Sequence, residues 1–391
     1  MAWPTLCDRV PGRVLIAVFD TSALFSDLSM SGVQSRQLLR WSGHGSYELH
    51  LPEVVVAEMT HDARERIEKA VEKVAAARTS FAKLAIPVEL PLPDVSVSTG
   101  EFEERLRARI AGAQGQVLPI PDAPHAKLVE RSADGIKPFS SSAKDSKEHS
   151  DRGYRDTLIW ITVLEAAKAG EVTLVTENTT DFTDGEGNLH PDLLADLERE
   201  CLEGEVQLSL SLTAFLAEHL PSDATAIEEF RLRVAGNDEF REELDKGVSK
   251  LLAEPQDWMR ADVDFVRLSD PSRKGEYRPE TAEVSVSRLG EIETRNAYGF
   301  GGSEEEDDSG VIELEVRAEL DVDLVFDRGD AEWITEYGAD VELYDWEETF
   351  VPGRITISVL ARVNLVFDRD SGAIAELEVV DVKDLPTEES V

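Results

Sequence analysis

The apolar positions of this chain fall into two regimes. Up to about residue 215, short apolar runs alternate with stretches of helical spacing. Val14 to Phe19 (V-L-I-A-V-F) is a continuous apolar run of strand length that ends at Asp20, as expected for a strand covered on both faces of a parallel sheet. From Leu51-Pro52 the spacing turns helical and predicts a long charged helix to about Leu84. A strand is expected over Ile86 to Leu92 and an amphipathic helix over Glu101 to Ala111. Residues 115–153 are expected to be mostly loop, with a short helix near Ala126 to Arg131. A buried helix opens at Asp156 and stops near Gly170, followed by the strand Glu171 to Thr176, a helix from Pro191 to Leu202 and a strand from Glu205 to Leu210. In such a succession ligands bind at the carboxyl ends of the parallel strands, where both Asp20 and the Asn178 to Asp181 turn fall.

Beyond residue 225 the texture changes. Residues 226–258 read as helical. After Asp262 apolar and polar residues alternate, as in Ala282 to Ser287 and Ile312 to Arg317, which is the pattern of antiparallel strands with one covered face. Leu324-Val325-Phe326-Asp327-Arg328 and Leu365-Val366-Phe367-Asp368-Arg369 echo each other, and two similar hairpins account for that. The expected fold class is α/β with a central parallel sheet in three layers, joined to a C-terminal α+β domain with a mainly antiparallel sheet. The expected boundaries are 1–218 for the first domain, 219–260 for a helical connector and 261–391 for an acidic β-rich accessory domain.

Charge changes the picture. The chain carries 80 acidic and 40 basic residues, a formal net charge of -40. Residues 1–220 account for about -13 and residues 221–391 for about -27. An acidic surface repels nucleic acid, and the second half carries most of the excess; part of the charge of the first half suits a carboxylate metal site offset by bound cations, and the rest serves solubility. The acidic run Glu304 to Asp308 lacks the ligand spacing and central glycine of an EF-hand and reads as a loop. Cys7 and Cys201 are too few and too far apart for a disulfide framework or a thiolate site. No apolar run approaches the roughly 20 residues of a membrane span, and the first ten residues lack the form of a secretory signal. The expected location is the cytosol.

Four elements each deliver an acid at a strand end or helix start: Val18-Phe19-Asp20-Thr21-Ser22, Val55-Val56-Ala57-Glu58, Gly153-Tyr154-Arg155-Asp156 and Asn178-Thr179-Thr180-Asp181-Phe182. Taken singly, each is better explained by a cap or an exposed turn. Their joint order resembles the PIN-domain family of metal-dependent nucleases. Lys137-Pro138-Phe139 and Gly153 to Trp160 (G-Y-R-D-T-L-I-W) resemble more narrowly a PIN-like subgroup with a K-P-F and G-Y-R-D-x-L-I-W signature. The resemblance covers about residues 13–215 and implies a three-layer PIN-like domain. It further implies hydrolysis of phosphodiester bonds, RNA favoured and DNA open, with Mg²⁺ or Mn²⁺ held by Asp20, Asp156 and Asp181, and Glu58 either ligating directly or holding a water.

Thr21, Ser22, Lys137, Arg155 and Asn178 are the expected substrate-binding residues. Capping by Thr21 and Ser22 and a structural ion pair at Arg155 are the competing readings. Lys144, Lys147 and Arg152 extend the basic patch. Asn178 departs from relatives that carry an acid there. A dehalogenase-type phosphatase would need a second acid two residues after Asp20, where Ser22 stands. The remaining rival is a catalytically silent PIN-like module that binds nucleic acid or protein. For the C-terminal domain, a protein partner or self-association is expected.

Overall fold

The computed structural model describes residues 15–83, 91–139, 153–253, 280–300, 309–327, 342–343, 350–369 and 371–384. The chain divides into two compact units, Met1–Leu220 and Pro221–Val391.

The first unit is built on five parallel strands: β1 (Leu15–Phe19), β2 (Glu48–Pro52), β3 (Gln116–Leu118), β4 (Glu171–Val175) and β5 (Val206–Ser209), in the order β3-β2-β1-β4-β5. All five residues of β1 are buried, which explains its uninterrupted apolar run. β1 pairs with β2 through Ala17↔Leu49 and with β4 through Ala17↔Thr173. From β1 the chain builds outward to β2 and β3 on one side, then returns to lay β4 and β5 on the other. The strand order therefore reverses between β1 and β4, and a crevice opens outside their carboxyl ends.

The flanking helices are α1 (Val33–Gly43), α2 (Glu53–Lys83), α3 (Val95–Gly112), α4 (His125–Asp134), α5 (Tyr154–Ala167), the single turn α6 (Thr179–Phe182), α7 (Pro191–Arg199) and α8 (Leu212–His219); a 3-10 segment, Thr21–Asp27, follows β1. α5 is the most buried of those at the site. Its Trp160 is fully buried and donates through Nε1 to Asp196 Oδ2 at 2.9 Å, and Arg131 of α4 pairs with the same carboxylate at 2.7 Å. Burying an indole N–H and a carboxylate is tolerable only because each satisfies the other.

The second unit holds α9 (Ala224–Gly236), α10 (Asp238–Ala253) and the antiparallel strands β6 (Glu280–Tyr298), β7 (Ser309–Asp327), β8 (Glu342–Leu343), β9 (Phe350–Asp368) and β10 (Ala373–Asp384), ordered β10-β9-β7-β6 with β8 on β9. Phe230, Phe240, Leu244 and Val248 of the two helices share one core with Leu314, Val316, Val363 and Leu365 of the sheet. The segment expected as a connector thus contributes one wall of this core.

A parallel sheet with flanking helices, followed by a separate antiparallel sheet, is the fold class expected from the sequence. The details differ in places. Leu51 and Pro52 end a strand, β2, and the helix begins at Glu53. β2 was hidden because its five residues include Glu48 and His50. β3, within the presumed loop, has only three residues. Of the expected strand Ile86 to Leu92, residues 86–90 lie outside the described residues, and Pro91 and Leu92 form no strand. Glu304 to Asp308 also lie outside the described residues.

Candidate functional site

Asp20 directly follows β1, and its backbone N–H continues the ladder to Val175 O at 3.0 Å. That places its side chain at the reversal point of the sheet, only 4% exposed. Two hydroxyls converge on one carboxylate oxygen: Ser22 Oγ donates to Oδ2 at 2.6 Å and Thr176 Oγ1 at 2.6 Å. Oδ1 receives no hydrogen bond from the described residues. The carboxylate is therefore held in orientation by one oxygen and presents the other. Ser22 Oγ also accepts from Glu177 N at 2.9 Å, and Thr176 Oγ1 accepts from Asn178 N at 3.0 Å, so the loop after β4 is tied to the loop after β1.

Glu58 lies in the second turn of α2. Thr21 Oγ1 donates to its Oε2 at 2.5 Å, and Arg155 pairs with its Oε1. Glu53, five residues earlier, turns away to Arg107 of α3, with contacts of 2.5 and 3.1 Å. The two glutamates thus occupy different faces of α2, as a five-residue separation requires.

Asp156 lies in the first turn of α5 and Asp181 in α6. Asn178 spans them, its Nδ2 donating to Asp156 Oδ1 and Asp181 Oδ2, both at 3.2 Å, while its Oδ1 accepts from Asp181 N at 3.2 Å. One amide thus serves as the α6 cap and as a brace between two carboxylates. Lys137 Nζ pairs with Asp181 Oδ1 at 2.9 Å and donates to Thr180 O at 2.8 Å. Gly153 fixes how the Lys137 loop meets α5. It has a φ of +83°, and a Cβ there would stand 2.3 Å from Pro138 O. Only glycine permits that approach.

All nine expected residues are linked in this way around the carboxyl ends of β1 and β4. They are not, however, a bare carboxylate cluster: among the described residues, no three of His, Cys, Asp or Glu are grouped closely enough to hold a metal ion. Hydroxyls, the Asn178 amide, Lys137 and Arg155 intervene between the acids. Thr176 is the contributor that sequence reasoning overlooked. A threonine closing a strand carries no signal until the loop partner is known. Lys144, Lys147 and Arg152 lie outside the described residues.

Beside Asp181 opens a cleft of about 580 Å³, lined by Lys137, Thr179, Thr180, Thr183, Asp184, His190 and Leu210 among others. Asp184 organises one wall. The Glu186 N–H, the Asn188 amide and the Asn188 N–H hold its carboxyl below the ordinary range.

The donor set is all oxygen, with one buried carboxylate already oriented, and that chemistry suits a hard divalent cation such as Mg²⁺ or Mn²⁺. Residues 18–182 match the family model described as PIN domain, which supports a PIN-like domain in the N-terminal half. PIN domains are in general nucleases that use divalent metals, so the match suggests nuclease-type function and contact with nucleic acid. Among curated proteins and solved structures, none matches the chain. No helix among the described residues is long and apolar enough to cross a membrane.

Proposed function

We propose that the first unit is a metal-dependent nuclease that hydrolyses phosphodiester bonds in the cytosol, with RNA the favoured substrate. The observation that carries this reading is Asp20: a buried carboxylate at the reversal point of the sheet, pinned through Oδ2 and presenting Oδ1. Asp20, Asp156 and Asp181 are the proposed ligands of Mg²⁺ or Mn²⁺, with Glu58 as the fourth acid. A bound cation would supply Lewis acidity toward the phosphate and the attacking water. Ser22 and Thr176 keep Asp20 in its rotamer, and Asn178 sets the spacing of Asp156 and Asp181. Arg155 and Lys137 neutralise Glu58 and Asp181. Cation binding would compete with those pairs and release both side chains toward substrate phosphate. The reading extends to the subgroup with the K-P-F and G-Y-R-D-x-L-I-W signature, and the packing of Gly153 on Pro138 gives a physical reason for the two stretches to occur together.

A second reading is a catalytically silent module. It is favoured by the same ion pairs and by the lack, among the described residues, of three acids grouped as a metal centre. Cleavage of labelled single-stranded RNA and DNA with Mg²⁺ or Mn²⁺, with EDTA and Asp20→Asn as controls, decides between them. Metal-dependent cutting that the variant lacks supports the nuclease. No cutting together with no thermal stabilisation by Mn²⁺ selects the silent module. For the second unit we propose a protein partner or self-association, which the oligomeric state of the full chain tests first.

A further inference from the structure

The 3-10 segment after β1 reaches α2 twice. Thr21 meets Glu58 at one end, and at the other Arg66 donates through a terminal guanidinium nitrogen to Phe25 O at 2.9 Å while its Cζ lies 5.0 Å from the centre of the Phe25 ring. Glu58 and Arg66 are two turns apart on α2, about 12 Å along the axis. Phe25 is 54% exposed, a high value for a phenylalanine held in place by an arginine. Four residues on, the Ser29 carbonyl accepts from Arg109 of α3. Beside Ser29 lies a groove of about 260 Å³, walled by Ile67, Phe102, Arg105 and Arg109.

The charges here favour an anionic ligand. Acids outnumber bases two to one overall, 80 against 40. Yet neither Arg66 nor Arg109 pairs with a carboxylate among the described residues; each is held by a main-chain carbonyl, which orients a guanidinium without neutralising it. An exposed aromatic ring stacked on one such cation, with a second held four residues further along the chain, has the chemistry that takes an unstacked base and its neighbouring phosphates.

Resting on the nuclease reading above, we propose that the surface from Phe25 and Arg66 to the groove at Ser29 and Arg109 is the track along which single-stranded RNA leaves the Asp20 site. A base extends the Arg66–Phe25 stack, and Arg66 and Arg109 contact successive phosphates.

The test is binding of a labelled single-stranded RNA of about 12 nucleotides to the full chain in EDTA, followed by fluorescence anisotropy over a range of salt. Phe25→Leu is expected to weaken binding about tenfold, within the range for loss of one stacked base. Arg66→Gln and Arg109→Gln are each expected to reduce the steepness of the log affinity against log salt plot by about 0.7, the contribution of one phosphate contact on a single strand. Arg66→Lys and Arg109→Lys restore the slope, which a purely structural role would not require.

If the wild type binds and all three Leu and Gln variants keep its affinity and slope, the groove is overturned while metal-dependent cleavage still upholds the nuclease. If the variants weaken binding as expected but no metal supports cutting, the groove stands and the nuclease reading falls. Failure of the wild type to bind, or tighter binding of single-stranded DNA of the same sequence, overturns the assignment to RNA.

Discussion

Both units are rich in carboxylates beside strands, and they use them in opposite ways. In the first, parallel topology brings the ends of β1 and β4 to one edge, so acids from four separate elements are drawn together and share hydroxyls, an amide and two cations. In the second, the strands are antiparallel and acids meet bases of neighbouring strands along their length. Arg354 pairs with Asp323 at 2.6 and 3.0 Å, Arg362 with Asp381 at 2.8 Å, and Arg295 with Glu315. Each is a local cross-strand pair at the sheet surface, where solvent screens the attraction. The same residue type becomes a candidate site in one topology and a sheet facing in the other.

The sharpest way to break that contrast is to remove one acid from each sheet. Asp20→Asn keeps the shape and the hydroxyl contacts but removes the charge, and is expected to lower metal-dependent cleavage by on the order of a thousandfold, equivalent to several kcal/mol of charge stabilisation. Asp323→Asn is expected to leave cleavage unchanged. Equal losses in the two variants, measured under single-turnover conditions, would mean that the units do not divide function as described.

The next largest effect concerns stability. Leu314 of β7 is fully buried in the core shared with α9 and α10. Leu314→Ala is expected to cost about 2–5 kcal/mol through lost burial and a residual cavity. Amide hydrogen exchange of β7 and β9 should report that loss, and β1 and β4 should keep their protection. Loss of protection in β1 as well would show the two cores to be energetically one.

The sequence disclosed these two regimes unequally. β1 was legible because a strand buried on both faces must be apolar throughout, and the alternation in β6 and β7 was legible because one face of each is covered. β2 and β3 were not, since Glu48, His50 and a three-residue length dilute the pattern. Asp20, Glu58, Asp156 and Asp181 stood out by their order. Their supports did not: that Thr176 would reach Asp20, 156 positions away, depends on the β1–β4 register, which no local pattern encodes. A structural ion pair at Arg155 was among the readings weighed from sequence, whereas its partner Glu58, like the pairing of Lys137 with Asp181, required the fold.

Thr176 therefore offers a finer test of the first unit. As a positioning residue it should matter through Asp20. Thr176→Val, which removes the hydroxyl at nearly constant volume, is expected to lower Mn²⁺ affinity and cleavage about 10–100-fold, the usual cost of losing an outer hydrogen bond to a ligand. Thr176→Ser should restore both. Calorimetric Mn²⁺ titration provides a readout separate from turnover, and unchanged affinity in the Val variant would remove Thr176 from the arrangement.

The smallest expected effect probes the exception in the second sheet. Glu313 of β7 lies opposite Asn364 of β9 and is 9% exposed, unlike the acids that face solvent around it. Burial raises its carboxyl above the ordinary range, Arg362 and Arg295 oppose that, and Glu315 adds to it. A raised pKa in the folded state means that the folded chain binds more protons than the unfolded one. Its stabilising contribution is therefore complete below the unfolded value and is lost as pH rises through the folded value. Asp323 behaves in the opposite sense. The bond from Arg354 lowers its carboxyl, so its contribution is present above the ordinary range and lost as pH falls through the lowered value. Glu313→Gln should thus flatten the decline in melting temperature on the alkaline side of the carboxylate range, by about 1–2 °C for a unit of this size, and leave the acid limb in place. A variant whose pH profile overlays that of the wild type would show that Glu313 is as well solvated as its neighbours, and that the acids of the second sheet behave alike.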